Sequence, residues 1–237
     1  MAFTAKDVQA LREMTGVGMM DCKKALTAAD GDKDKAIEWL REKGLAAQTK
    51  KAGKIAAEGA SFAVVTEKGV GVIIEVNSQT DFVAKNDVFK DFVMALAVVV
   101  AEENPADVEA LKNCRYPGTD RTVDSVTADK VLTIGENIQI RRFVRYDTGV
   151  NVPYIHMGGK VAVLVNLEVE GIDAAKVEEL GKDIAMQICA MNPSFRDKSD
   201  VDSATLDKEK EILMVQAKED PKNANKPENI IEKMVMG

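Results

Sequence analysis

A chain of 237 residues can build one large domain or two to three small ones, and its 46% hydrophobic but only 5% aromatic content means a core of Val, Ile, Leu, Ala and Met. A net charge of −7 argues against general nucleic-acid binding, and no run nears the roughly 18 apolar residues of a membrane span. Three scattered cysteines, Cys22, Cys114 and Cys189, without a CxxC, argue against a disulfide framework or a zinc site and for a reducing compartment. The N-terminus is amphipathic and mixed in charge, unlike a secretory signal or a transit peptide, which places the chain in the cytoplasm. The charge is uneven. Residues 1–56 carry 11 Lys/Arg against 8 Asp/Glu, and the remainder 21 against 31. A small basic module on an acidic body suits an acidic protein surface.

The first 45 residues read as three short helices. Thr4 to Asp7 resembles a capping box, after which Val8, Leu11 and Met14 recur at helical spacing. Thr15-Gly-Val-Gly18 breaks that helix. Met19 to Ala29 forms the second, with Cys22, Ala25, Leu26 and Ala29 as its inner stripe. After the turn Asp30-Gly31-Asp32, a third helix is expected from about Asp34 to Lys43, with Ile37 and Leu40 inward and Gly44 as its stop. Lys50, Lys51 and Lys54 then fall in an Ala/Gly/Lys-rich linker.

From Gly59 the period changes. Ser61–Thr66 and Val70–Asn77 read as strands joined by Glu67-Lys68-Gly69. A long helix Asp87–Glu103, a short one from Pro105 to Asn113, a third from about Ser125 to Ile134 stopped by Gly135, and a strand Ile138–Tyr146 follow. The plan then recurs: a strand near Val152–Met157, a Gly158-Gly159 turn, a strand Lys160–Glu168 and a helix Ala174–Ala190. VGVIIEVN at 70–77 aligns with VAVLVNLE at 161–168 at an offset of 91, which reads as an internal duplication of a hairpin-plus-helix unit. A charged helix Ser203–Ala217, a turn Pro221–Pro227 and a returning helix Glu228–Met236 make a projecting helical hairpin. The expected class is α+β: a three-helix bundle with basic linker at 1–55, a first core half at 56–148, a second at 149–192, and the hairpin at 193–237.

Catalytic constellations are scarce. His156 is the only histidine, and a thiol–imidazole pair requires one cysteine to lie beside it; the cysteines sit in apolar contexts that suit inert packing. Gly158-Gly-Lys160 lacks phosphate-loop spacing, and Asp30–Asp34 has Lys35 and Arg41 where a calcium loop needs Gly and Glu. No cofactor and no metal site is expected. The informative stretch is TDFVAKN, Thr80 to Asn86, between an apolar strand and a helix. An aromatic at such a tip, flanked by charge, is suited to pushing into a partner. The alternative is that Phe82 caps the sheet edge or staples the next helix. Met19 and Met20, adjacent on a helix, cannot both face inward, so a thioether beside Lys23 offers an adaptable contact.

Two long motifs carry a family resemblance. LREMTGVGMMDCKKAL (Leu11–Leu26) and EVNSQTDFVAKN (Glu75–Asn86) resemble the two signatures of bacterial translation elongation factor Ts, with weaker echoes in IGENIQIRR (Ile134–Arg142), His156 and KPENIIEKMV (Lys226–Val235). The resemblance implies a guanine nucleotide exchange factor for elongation factor Tu, GDP-bound or nucleotide-free, with a ubiquitin-associated-like bundle that docks on the GTPase through Arg12, Met19, Met20 and Lys23. It implies a contact role for Lys51 and for His156, the latter with the alternative of a hydrogen-bonded structural residue. Within Thr80, Asp81, Phe82 and Val83 it implies an intruding Asp-Phe pair that dislodges the partner's Mg²⁺. Members of this type continue past the hairpin, complete the second core half and end in a small C-terminal module. This sequence stops at Gly237, so the second half is expected to lack a strand. Two rivals stand beside this reading: a non-exchanging binding module built on the N-terminal bundle, and a thiol enzyme using Cys22 or Cys189 with His156. No direct nucleic-acid or membrane partner is expected, and a homodimer through the helical hairpin is left open.

Overall fold

A computed structural model describes residues 3–223 and 226–236. The chain forms two compact bodies, Met1–Ala190 and Met191–Gly237, and it is of mixed α+β class. The first body opens with α1 (Ala5–Thr15), α2 (Met19–Ala28) and α3 (Lys33–Lys51). The Thr4 backbone N–H and hydroxyl both donate to the Asp7 carboxylate, at 2.9 and 2.7 Å, and these bonds, the backbone one foremost, hold that carboxyl below its ordinary range. Gly16, in the left-handed region at φ 68°, ends α1. Val8, Leu11, Val17, Cys22, Ala25, Leu26, Ala36 and Leu40 form the bundle core. Asp21 of α2 pairs with Lys43 of α3, and that hydrogen bond draws the Asp21 carboxyl down. Met14, expected on the inner stripe, is 67% exposed, because the stripe rotates off the core by the last turn of α1.

The expected stop at Gly44 does not occur. α3 runs on to Lys51, so the lysine-rich segment expected as linker is helical through Lys51. Gly44 is buried, and a β-carbon built there would lie 3.3 Å from the Ala128 carbonyl oxygen. Its missing side chain allows close approach to a neighbouring helix. That neighbour is α7 (Val123–Ile134), whose Leu132 also packs on the bundle core. The helix continues because tertiary contact with α7 outweighs the roughly 1 kcal/mol that an interior glycine costs.

Strands β1 (Glu58–Val65), β2 (Gly71–Ser78) and β3 (Gln139–Tyr146) form an antiparallel sheet in that order. Between β2 and β3 lie α4 (Asp81–Ala84), α5 (Asp87–Glu103), α6 (Val108–Asn113) and α7. Alternate residues Val72, Ile74 and Val76 of β2 face the buried side of α5, where Phe89, Phe92, Val93, Leu96 and Val100 complete the core. α7 starts two residues before the expected Ser125, capped by the Thr122 hydroxyl, which accepts from the Ser125 N–H at 3.2 Å. Gly135 at φ 85° ends it. A register shift between Glu75 and Val76 pairs Glu75 with Arg142 and Val76 with Ile140. The extra residue lets two successive arginines reach one carboxylate: Arg142 Nε lies 2.7 Å and Arg141 Nε 3.5 Å from Glu75 oxygens.

β4 (Val150–His156) and β5 (Val161–Leu167) form a second antiparallel hairpin, followed by α8 (Ala174–Met191). One face of the hairpin, with Val152, Val163 and Val165, packs on Ala185 and Ile184 of α8. The hairpin also meets β1 and the turn after it: the Ser61 N–H donates to the Gly159 carbonyl at 2.7 Å, and Asn151 Nδ2 donates to the carbonyl of Gly69, in the turn between β1 and β2, at 2.8 Å.

The second body holds α9 (Ser203–Glu219) and α10 (Glu228–Met236). Lys210 pairs with Glu232 and Lys218 with Glu228, which sets the two helices antiparallel. Asn223 closes the turn by donating from Nδ2 to the Ala217 carbonyl at 2.9 Å.

Candidate functional site

β2 ends at Ser78, and the chain turns at once into the single-turn helix α4, where a loop tip was expected. The Thr80 hydroxyl caps this turn and accepts from the Val83 N–H at 3.4 Å. Successive residues of a helix diverge by about 100°. Val83 therefore packs against the main core, while Phe82 stands 80% exposed. Asp81 and Lys85 pair at 2.7 Å one turn apart. That hydrogen bond lowers the Asp81 carboxyl below its ordinary range and raises the Lys85 ammonium above its own. Asn86 then caps α5 through its side-chain carbonyl, Oδ1, which accepts from the Val88 N–H at 2.8 Å.

Behind the turn lies a carboxylate that sequence reading missed. Glu136 accepts from the backbone N–H of Gln79 and of Thr80, each at 3.0 Å, and from the Thr80 hydroxyl at 2.7 Å. Next to it, the Asn137 N–H donates to the Gln79 side-chain carbonyl at 3.0 Å, and Asn137 Nδ2 donates to the Lys54 carbonyl at 2.7 Å. The local signal was a polar pair after the helix-ending Gly135, inside the weaker motif echo IGENIQIRR, and nothing in it points to a partner more than fifty residues away.

Lys51 lies on the other side of this junction. Its ammonium donates to the Gly135 carbonyl, and burial foremost, then Lys54, pushes its pKa down. Lys51 and Thr80 thus meet the same short segment, Gly135-Glu136, from two directions. Arg12, Met19, Met20 and Lys23 lie instead on the bundle, all exposed. Met19 and Met20, both facing outward, line a groove of about 400 Å³ together with Phe3, Val8 and Lys23. His156 ends β4, exposed, with Nδ1 3.0 Å from the Tyr154 hydroxyl and the two rings stacked at 5.9 Å. Residues two apart on a strand share a face, which is why these rings meet.

The three cysteines are free thiols. Cys22 is fully buried, its thiol 3.4 Å from the Val17 carbonyl, and desolvation raises its pKa. Burial likewise raises the Cys114 thiol. Such thiols are poor nucleophiles. Among the described residues no cluster of His, Cys, Asp or Glu could hold a metal ion, and no helix is long and apolar enough to cross a membrane.

Fold and site together define an α+β protein that carries its distinctive residues on its outer surface: an aromatic on a clamped turn and a pair of methionines beside a groove. Comparison with known proteins sharpens that class. Residues 79–237 match the family model described as elongation factor TS. The chain is 47% identical over 239 residues to elongation factor Ts of Syntrophotalea carbinolica, a match spanning 100% of this chain and 77% of that protein. It is 46% identical over 244 residues to that of Trichlorobacter lovleyi, spanning 100% and 77%, and 47% identical over 237 residues to that of a Clostridium botulinum strain, spanning 99% and 76%. The chain belongs to the elongation factor Ts family, among the elongation factors of protein biosynthesis.

Proposed function

We propose that this chain is a guanine nucleotide exchange factor that speeds GDP release from elongation factor Tu, acting in the cytoplasm and without a cofactor of its own. The observation that carries the reading is Phe82, an aromatic 80% exposed on a turn held by capping and carboxylate hydrogen bonds among Gln79, Thr80, Val83, Glu136 and Asn137. Outward apolar rings on rigid supports make central anchors in partner interfaces. In a GTPase, Mg²⁺ neutralises charge between the nucleotide phosphates and protein oxygens. Thr80 and Val83 seat the turn, and Asp81 and Phe82 enter the partner beside the elements that hold the ion. When those elements shift, phosphate repulsion loses its compensation and GDP leaves. The exchange is release without covalent chemistry, and reciprocity requires GDP to weaken the complex by the same factor.

Arg12, Met19, Met20 and Lys23 dock the N-terminal bundle on the GTPase, the thioethers adapting to its surface. Lys51, beside the Phe82 turn, makes a further contact with the partner, and His156 meets a second part of it from β4. The organisation that goes with this reading is a ubiquitin-associated-like bundle at 1–55, core halves at 56–148 and 149–192 related by duplication, and a helical hairpin at 193–237.

The test is stopped-flow release of a fluorescent GDP from elongation factor Tu. Phe82→Ala is expected to retain the fold and to lose about 2–4 kcal/mol of transition-state stabilisation. An unchanged release rate refutes the wedge. The methionine-lined groove favours a second reading, a module that binds through the bundle without exchange. Tight binding of the unaltered chain with no acceleration of release would establish that reading instead.

A further inference from the structure

We infer that Glu136 is a positioning residue for exchange: its carboxylate sets the projection of the Phe82 turn and ties that turn to the end of α3. This rests on the exchange reading above and deepens it. The turn Asp81–Ala84 is four residues long and carries no fully buried side chain, Val83 being only partly buried against the core, so its own packing fixes its direction only in part. What completes it is the three donors, Gln79 N–H, Thr80 N–H and Thr80 Oγ1–H, that converge on the two Glu136 oxygens at 2.7 to 3.0 Å. Hydrogen bonds to an ionised carboxylate are about twice as strong as neutral ones. The two backbone donors belong to the residues just before Asp81, so they act as the hinge of the Phe82 turn.

The residue before Glu136 supplies the second attachment. The Gly135 carbonyl accepts from the Lys51 ammonium at the last residue of α3, and Asn137 Nδ2 reaches the Lys54 carbonyl. Segments 51–54, 79–80 and 135–137 are thereby joined at one junction. Load placed on the N-terminal bundle by a docked partner reaches the Phe82 turn through it.

A glutamine at position 136 keeps the size of the side chain but removes its charge, and with its one oxygen accepting from the two backbone N–H groups its NH₂ faces the Thr80 hydroxyl, which no longer donates to position 136. The Glu136→Gln chain is expected to melt at the temperature of the unaltered protein within a few degrees. Its maximal rate of stimulated GDP release at saturation is expected to fall about tenfold, the equivalent of one lost charge-assisted bond. The concentration giving half-maximal rate should change far less, because the bundle's docking residues are intact. The decisive readout is the double variant Glu136→Gln/Phe82→Ala. If Glu136 works through Phe82, the double variant releases GDP no more slowly than Phe82→Ala alone. Additive losses, or a Glu136→Gln rate equal to that of the unaltered chain while Phe82→Ala is slow, overturn the inference and leave the exchange reading standing. Silence of Phe82→Ala itself overturns the exchange reading. Should Glu136→Gln unfold, Thr80→Val removes the shortest of the three bonds from the opposite side, and the same non-additivity with Phe82→Ala is required of it.

Discussion

Asp81 and Lys85 make an ion pair in which the two side chains are 51% and 74% exposed. Water screens such a pair, and exposed pairs contribute little to stability. The pair therefore adds little to the fold, and on the exchange reading Asp81 acts through what it offers outward. Asp81→Ala is expected to leave the thermal unfolding midpoint unchanged while slowing GDP release from elongation factor Tu. Circular-dichroism melts and stopped-flow release check the two halves of this expectation. A lowered midpoint with normal release would reverse the assignment. Motif reading found Asp81 and Phe82, because charge and an aromatic between a strand and a helix are visible locally. It did not find Glu136, whose meaning lies in donors brought to it by the return of β3 beside β2.

At the level of elements, two helical glycines show how contact decides the sign of a substitution. Alanine at an interior helix position is intrinsically favoured over glycine by about 1 kcal/mol. At Gly181 of α8 a β-carbon would lie 2.5 Å from Cγ2 of Val152 and 2.9 Å from its Cβ. Valine is stiff about χ1 and cannot swing away. Overpacking costs about 1–3 kcal/mol, so Gly181→Ala is expected to destabilise the protein by roughly 1 kcal/mol net. At Gly44 of α3 the nearest atom is the Ala128 carbonyl oxygen at 3.3 Å, a milder contact. Gly44→Ala is expected within about 0.5 kcal/mol of neutral, the propensity gain offsetting the crowding. Urea unfolding of the two variants side by side measures the contrast, and equal effects would contradict it. The same glycine explains the misplaced end of α3: a helix-stop signal and a close-packing signal are identical in one-dimensional reading.

Across the whole molecule, burial is uneven. α5 buries Phe89, Phe92, Val93, Leu96, Ala97, Val99, Val100 and Ala101, whereas α9 has no buried residue. Opening free energy follows buried apolar contact. Backbone amides of α9 are expected to exchange with deuterium faster than those of α5 by orders of magnitude, as read by mass spectrometry on the full chain. Equal protection in the two helices would be incompatible with this distribution. The division into Met1–Ala190 and Met191–Gly237 belongs to the same scale, and the change of composition after Pro193 marks it closely.

The sequence by itself determined most of the helices and strands, the antiparallel hairpins, the cap at Thr4, the stop at Gly135, and the two motifs that point to the family. These are properties of neighbours in the chain: periodicity, capping chemistry and turn residues act within a few positions. Only the tertiary structure decided that α3 runs through Gly44 to Lys51, that Thr80–Val83 is a helical turn with Val83 in and Phe82 out, and that Glu136 holds it. Each of these depends on which surfaces meet across the fold. Packing against α7 keeps a glycine helical, and three converging hydrogen bonds aim a ring that its own four residues fix only in part.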